Sequence, residues 1–178
     1  GYQRLLTFEV PGGGFEWFAH PPANVVLTAY GILEFTDMAR VHSVDPAVVE
    51  RASAWLASQQ GRDGSWTPGG YTETLGEFYA PLQTTAYVAW ALAEAGRRGK
   101  TLDAALDYLR LNIGEAKQPY TLALAANALL ARNPKDATGL ELVRRLHSLC
   151  VTDRDGAHMT DPGIGAFGSA GAGLSAET

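Results

Sequence analysis

His147, Cys150 and Asp153 crowd into one short stretch, and a thiolate, an imidazole and a carboxylate can share a metal or activate one another. The pattern argues against both. Cys150 is the only cysteine, so no thiolate pair can hold zinc and no intrachain disulfide can form. It closes the amphipathic run Leu140–Leu149, where a buried, inert thiol is expected. His147 suits a helix carboxyl end, where the dipole favours a cation. Asp153-Arg154-Asp155-Gly156 lacks the further oxygen ligands and the closing Glu of a calcium loop. His20, His42 and His158 are scattered, none at ligand spacing to another, and read as structural. Glu73 and Glu77 precede a helix and could face a cleft as the acid and base of a glycosidase. Two loop carboxylates in an acidic chain are read first as solvated. No catalytic residue, metal ligand or cofactor is assigned.

The bulk chemistry narrows the partners. Of 178 residues, 46% are hydrophobic and 19% charged, enough to build a core and too apolar for disorder. A net charge of −5 argues against nucleic acid, which needs clustered Lys and Arg. Arg97-Arg98 and Arg144-Arg145 are short and far apart, and read as solvated helix ends. No apolar stretch is long enough to span a bilayer.

Six segments carry a helical period, and the chain opens in what reads as a helix end, Tyr2 to Leu6. Val25 to Met38 follows the Gly12-Gly13-Gly14 turn, with Asn24 as cap and Pro21-Pro22 barring an earlier start. Asp45-Pro46 opens the next, which Gly61 stops. Others run from Leu82 to Gly96, from Thr101 to Gly114, from Pro119 to Asn133, and from a capping box of Thr138 and Glu141 to Leu149. No stretch sustains period-two alternation. The fold class is all-α, with strands at most minor.

The helices come with a repeat. Gly14-Phe15-Glu16-Trp17 precedes Leu27-Thr28-Ala29-Tyr30, Asp63-Gly64-Ser65-Trp66 precedes Thr84-Thr85-Ala86-Tyr87, and Asp155-Gly156-Ala157-His158-Met159 precedes Leu174-Ser175-Ala176-Glu177-Thr178. Tyr120-Thr121-Leu122-Ala123-Leu124 is a shortened copy. Repeated helical hairpins form a solenoid or a closed ring. Gly64 and Gly156 are expected to take left-handed backbone where a helix reverses, with the large residue after them folding back onto that helix. The segment Gln60 to Trp66 is more specific. It resembles the Gln-x-x-x-Gly-x-Trp turn of the α/α-toroid superfamily, in which the Gln ties a helix end to the turn and the Trp stacks on it. The enzymes of that superfamily depend on an Asp-x-Asp-Asp acid motif or on an Asp-x-Cys pair with a distant His, and this chain has neither.

Read in order, the whole chain resembles one branch of that superfamily, the thioester (complement-like) domain of alpha-2-macroglobulins. Gly1 to Phe8, Val25 to Gly31, Ser53-Ala54-Trp55-Leu56 with Gln59-Gln60, Asp63 to Trp66, Gln83 to Val88, Tyr120 to Ala125 and Leu174 to Thr178 match its segments collinearly. The style, Gly-rich and Trp-rich without paired cysteines, points to a bacterial member. The resemblance implies a single domain over 1–178, a fragment of the ring with its first and last helices absent. The family's Cys-Gly-Glu-Gln motif would lie before Gly1, so no thioester residue is expected in this chain. Complement members that prefer hydroxyl targets carry a His in the loop that here contains Tyr71, Glu73 and Glu77. This loop has none, which implies amine preference. The parent would then be a covalent protease trap of the cell envelope, periplasmic or secreted. Its partners would be target proteases and the other macroglobulin domains of its chain. The alternatives are a toroid enzyme, cyclase-like or glycosidase-like, and a helical binding module without chemistry. Helices absent from the ring would leave Val25, Leu27, Tyr87 and Trp90 facing a gap and favour self-association.

Overall fold

The computed structural model describes residues 1–68, 80–154 and 156–159. Among the described residues seven α-helices follow one another: α1 (Tyr2–Leu6), α2 (Val25–Met38), α3 (Pro46–Gln59), α4 (Pro81–Glu94), α5 (Lys100–Asn112), α6 (Pro119–Arg132) and α7 (Ala137–Leu149). A 3-10 turn, Ile113–Glu115, extends α5, and a two-stranded hairpin, β1 (Cys150–Thr152) and β2 (Ala157–Met159), follows α7. The helices alternate between two layers. In one, α2 packs on α4 and α4 on α6; in the other, α3 backs α2, α5 backs α4 and α7 backs α6. An inner row with an outer row behind it is the arrangement expected of part of an α/α toroid.

The burial pattern follows from the layering. In α4 the buried residues run almost continuously from Gln83 to Ala93, and in α6 from Thr121 to Leu129, because inner helices have neighbours on most sides. Much of that buried surface is alanine, whose short side chain lets two helices approach closely. The outer helix α5 instead buries one stripe, Leu102, Ala105, Leu106 and Leu109. Three helices start with proline at their first position, Pro46, Pro81 and Pro119, where the missing N–H costs no hydrogen bond.

Local chemistry sets the helix starts. Asn24 caps α2, its Oδ1 accepting from Leu27 N at 3.0 Å. The cap of α7 is Asp136 rather than Thr138 with Glu141. Asp136 has extended backbone and its Oδ1 accepts from Gly139 N at 2.9 Å, while Glu141 turns outward to pair with Arg144. Its other oxygen, Oδ2, accepts from Arg110 Nη2 at 2.8 Å, joining α5 to α7. Burial pushes the Asp136 carboxyl up, but the Arg110 guanidinium and the N–H groups of Gly139 and Thr138 together hold it below the ordinary carboxylate range. A depressed folded-state pKa adds stability above the unfolded value, and that stability is lost as pH falls through the folded one. Asp136→Ala should therefore cost about 1–3 kcal/mol at neutral pH and much less in acid, measured by urea unfolding across pH.

Four other expectations need correction. Cys150 is exposed, because α7 ends at Leu149 and the next residue enters a surface hairpin. Gly156 has φ +136, but it turns that β-hairpin rather than reversing a helix. Arg145 is not merely solvated: its guanidinium donates to the carbonyls of Gly114 and Ala116, tying α7 to the turn after α5. Val25 is buried in the core, so it faces no gap. Leu27, Tyr87 and Trp90 are half-buried, and Leu27 lines an apolar groove with Leu5, Phe8 and Trp17.

Candidate functional site

The turn from Gln60 to Trp66 is where the sequence pattern is most specific, and it binds three helices together. Gln60 follows the last residue of α3. Its Nε2 donates to Gly64 O within the turn and to Thr101 O at the start of α5, both at 2.9 Å. Asp63 Oδ1 accepts from the backbone N–H of Ser65 and from its hydroxyl, and these bonds hold its carboxyl below the usual range. Gly61 N donates to Ser65 O at 2.8 Å, closing the loop. Gly64 has φ +89 and lies so close to α5 that a Cβ would stand 2.4 Å from Ala104 O.

Trp66 completes the turn. It is 1% exposed, and its Nε1 donates to Leu56 O at 2.8 Å. Leu56 is among the last four residues of α3, whose carbonyls have no partner within the helix, so the indole satisfies one of them. The ring therefore folds back onto the preceding helix, as expected. The backbone N–H of Trp66 donates to Thr85 Oγ1 at 3.0 Å, which fixes the turn to inner helix α4.

The same device occurs one hairpin earlier. Phe15 N donates to Thr28 Oγ1 at 2.9 Å, and that hydroxyl donates onward to Asn24 O at 2.7 Å. The repeat is thus real in three dimensions, with Thr28 and Thr85 in equivalent places. Its aromatic partner in the first unit is Phe15, which is buried; Trp17 is 59% exposed. In the sequence these threonines read only as part of a small-residue patch. Their signal is the hydroxyl itself, since a buried Thr opening an inner helix has an acceptor to offer a neighbouring turn. Thr85→Val should leave the Trp66 N–H buried without an acceptor and cost about 1–3 kcal/mol, whereas Thr85→Ser should cost less than half as much; thermal unfolding of the two variants checks this.

Tyr71, Glu73 and Glu77 fall in residues 69–79, outside the described residues. The described residues on either side are Pro68, just after the Trp66 turn, and Ala80, which precedes α4. Among the described residues, no three His, Cys, Asp or Glu side chains gather as metal ligands. His147, Cys150 and Asp153 are spread along the end of α7 and the hairpin, where His158 Nδ1 stands 3.6 Å from Asp153 Oδ2. His42 packs against the Tyr2 ring at 5.8 Å. The described pieces form a helical scaffold whose Gln60–Trp66 turn ties α3, α4 and α5 together.

Comparison with known proteins agrees with this scaffold. A family model described as the A-macroglobulin TED domain matches residues 1–163. Thioester-containing protein 1 of Anopheles gambiae is similar in its allele R1, 28% identical over 138 residues that cover 73% of this chain and 10% of that protein. Its S1 allele is 25% identical over the same span. The chain thus spans 10% of the length of the curated relatives it matches. With a matching family model across most of its length and the helical hairpins that the family resemblance implied, this chain belongs to the A-macroglobulin TED domain family.

Proposed function

We propose that this chain is the scaffold part of the thioester domain of a macroglobulin-like covalent protease trap, and that it does no catalysis itself. The match to the TED domain model over residues 1–163 carries the reading. The names of the relatives, thioester-containing proteins, support the chemistry. In the parent protein, a Cys thiol and a Gln side chain in a Cys-Gly-Glu-Gln motif are joined as an internal thioester. That motif is not in this chain, where Cys150 is followed by Val-Thr-Asp.

The step is an acyl transfer. An amine nitrogen attacks the thioester carbonyl carbon, the C–S bond breaks, an amide forms, and the sulfur leaves as a thiolate that takes up a proton. A thioester survives only while water is kept away, so a rigid shell around it is a functional requirement. The Gln60–Trp66 turn suits that work, since it holds three helices together. The segment after it, with Tyr71, Glu73 and Glu77, contains no His, which supports amine rather than hydroxyl acceptors. A protease lysine, captured after bait cleavage elsewhere in the parent, is the target this reading names. The Anopheles relatives are insect proteins; the style of the sequence supports a bacterial source, and the family resemblance supports the cell envelope, periplasmic or secreted. No helix among the described residues is long and apolar enough to cross a membrane.

The test is methylamine treatment of the intact parent protein. The expected result is one thiol released and one methylamine incorporated per chain, read by thiol titration and intact mass. No thiol and no mass gain would overturn the covalent reading and leave a non-covalent binding scaffold.

A further inference from the structure

The carboxyl ends of the two inner helices α2 and α4 flank a cleft of about 410 Å³. Its walls are Tyr30, Glu34 and Asp37 from α2 and Tyr87, Trp90 and Glu94 from α4. The repeat explains why like faces like. Counting on equally from the equivalent threonines, Thr28 and Thr85, Tyr30 corresponds to Tyr87 and Asp37 to Glu94. The Tyr87 and Trp90 rings meet edge to face at 6.2 Å, and Trp90 Nε1 donates to Glu94 Oε1 at 3.2 Å, which fixes both the indole and the carboxylate.

The charges there run against helix electrostatics. A helix carboxyl end carries partial negative charge and favours cations. Helices α5, α6 and α7 follow that rule with Arg110, Arg132 and His147 in their last turns. Helices α2 and α4 have no basic residue there, and instead place Asp37 and Glu94. Arg40 pairs with Asp37 at 3.1 Å, but among the described residues neither Glu34 nor Glu94 has a cationic partner. Three carboxylates thus line a cleft in which, among the described residues, Arg40 supplies the one guanidinium. Aromatic rings beside carboxylates that lack a cation are the chemistry that recognises an organic cation.

We propose that the α2–α4 cleft binds an organic cation, an ammonium or guanidinium group on a compact apolar body, between the Tyr30, Tyr87 and Trp90 rings and the Glu34 and Glu94 carboxylates. This assignment is independent of the thioester reading and concerns this chain alone.

The experiment follows the Trp90 indole N–H by NMR at constant ionic strength, with Trp90→Phe identifying the signal. The 178-residue chain is titrated with tetramethylammonium chloride, with arginine amide, and with neopentanol as a neutral body of similar shape. A saturable shift with at least one cation is expected, with a dissociation constant on the order of millimolar for so small a ligand. Whether the ammonium or the guanidinium binds more tightly identifies the group preferred. The Glu34→Gln/Glu94→Gln double variant should bind about tenfold more weakly while keeping the wild-type circular dichroism. Arg40→Ala should bind about threefold more tightly, because a competing cation is gone; a purely structural role for Arg40 would not produce that gain. No saturable shift with either cation, equal binding of neopentanol, or undiminished binding by the double variant would each overturn the proposal.

Discussion

Trp66→Ala should lower the unfolding free energy by about 3–5 kcal/mol, since it removes a large buried ring and opens a cavity between three helices. Trp66 is 1% exposed and packs in the main core cluster with Leu56. A second loss adds to the cavity: Leu56 O no longer receives the indole N–H, and a carbonyl at the end of α3 is left buried and unpaired. Domains of this size hold only about 5–15 kcal/mol in total, so the variant should be marginal at physiological temperature. Trp66→Phe separates the two terms. It keeps most of the ring but loses the hydrogen bond, and should cost about 1–3 kcal/mol. Urea unfolding followed by far-ultraviolet circular dichroism measures both. If Trp66→Ala cost no more than Trp66→Phe, the ring would not be the keystone its burial implies.

Gly64→Ala is the second large effect, expected at about 3–5 kcal/mol from two separable causes. The φ of +89 strains any residue with a Cβ, and the Cβ itself would meet the Ala104 carbonyl oxygen at 2.4 Å. Ala104 O belongs to helix backbone, which cannot step aside as a flexible side chain could. Gly96 supplies the control. Its φ is +69, but a Cβ there meets nothing within 4 Å, so Gly96→Ala should show the backbone strain alone, about 1–2 kcal/mol. The difference between the two variants, read from their unfolding midpoints, isolates the close approach of the turn to α5. Equal costs would mean that α5 yields at Ala104.

Both effects belong to the scaffold, in keeping with the proposal that this domain shields a reactive bond from water. A destabilised turn would loosen the chain just before the segment that includes Tyr71, Glu73 and Glu77. On that proposal, such variants of the parent should hydrolyse the thioester faster without any change to its Cys or Gln.

The sequence alone determined the helices, their order and the family. Period and punctuation are local: Asn24 caps, Pro46, Pro81 and Pro119 start helices, and Gly61 and Asn133 stand where helices stop, all through bonds within a few residues. The Gln60-Gly64-Trp66 turn was legible through its resemblance to the toroid turn, although its bonds also reach Thr85 and Thr101 on other helices. Other features were decided only by tertiary structure. Asp136 displaced the Thr138–Glu141 capping box because Arg110, distant in sequence, reaches its carboxylate. Cys150 lies outside the core because the chain leaves α7 for a hairpin whose pairing no amphipathic pattern announces. Thr28 and Thr85 became ties between turn and helix only when folding brought a bare N–H to each hydroxyl. The α2–α4 cleft gathers residues from two helices far apart in the chain. A periodic pattern says which face of a helix is apolar; which helix meets that face, and what charge collects where they meet, is settled by packing.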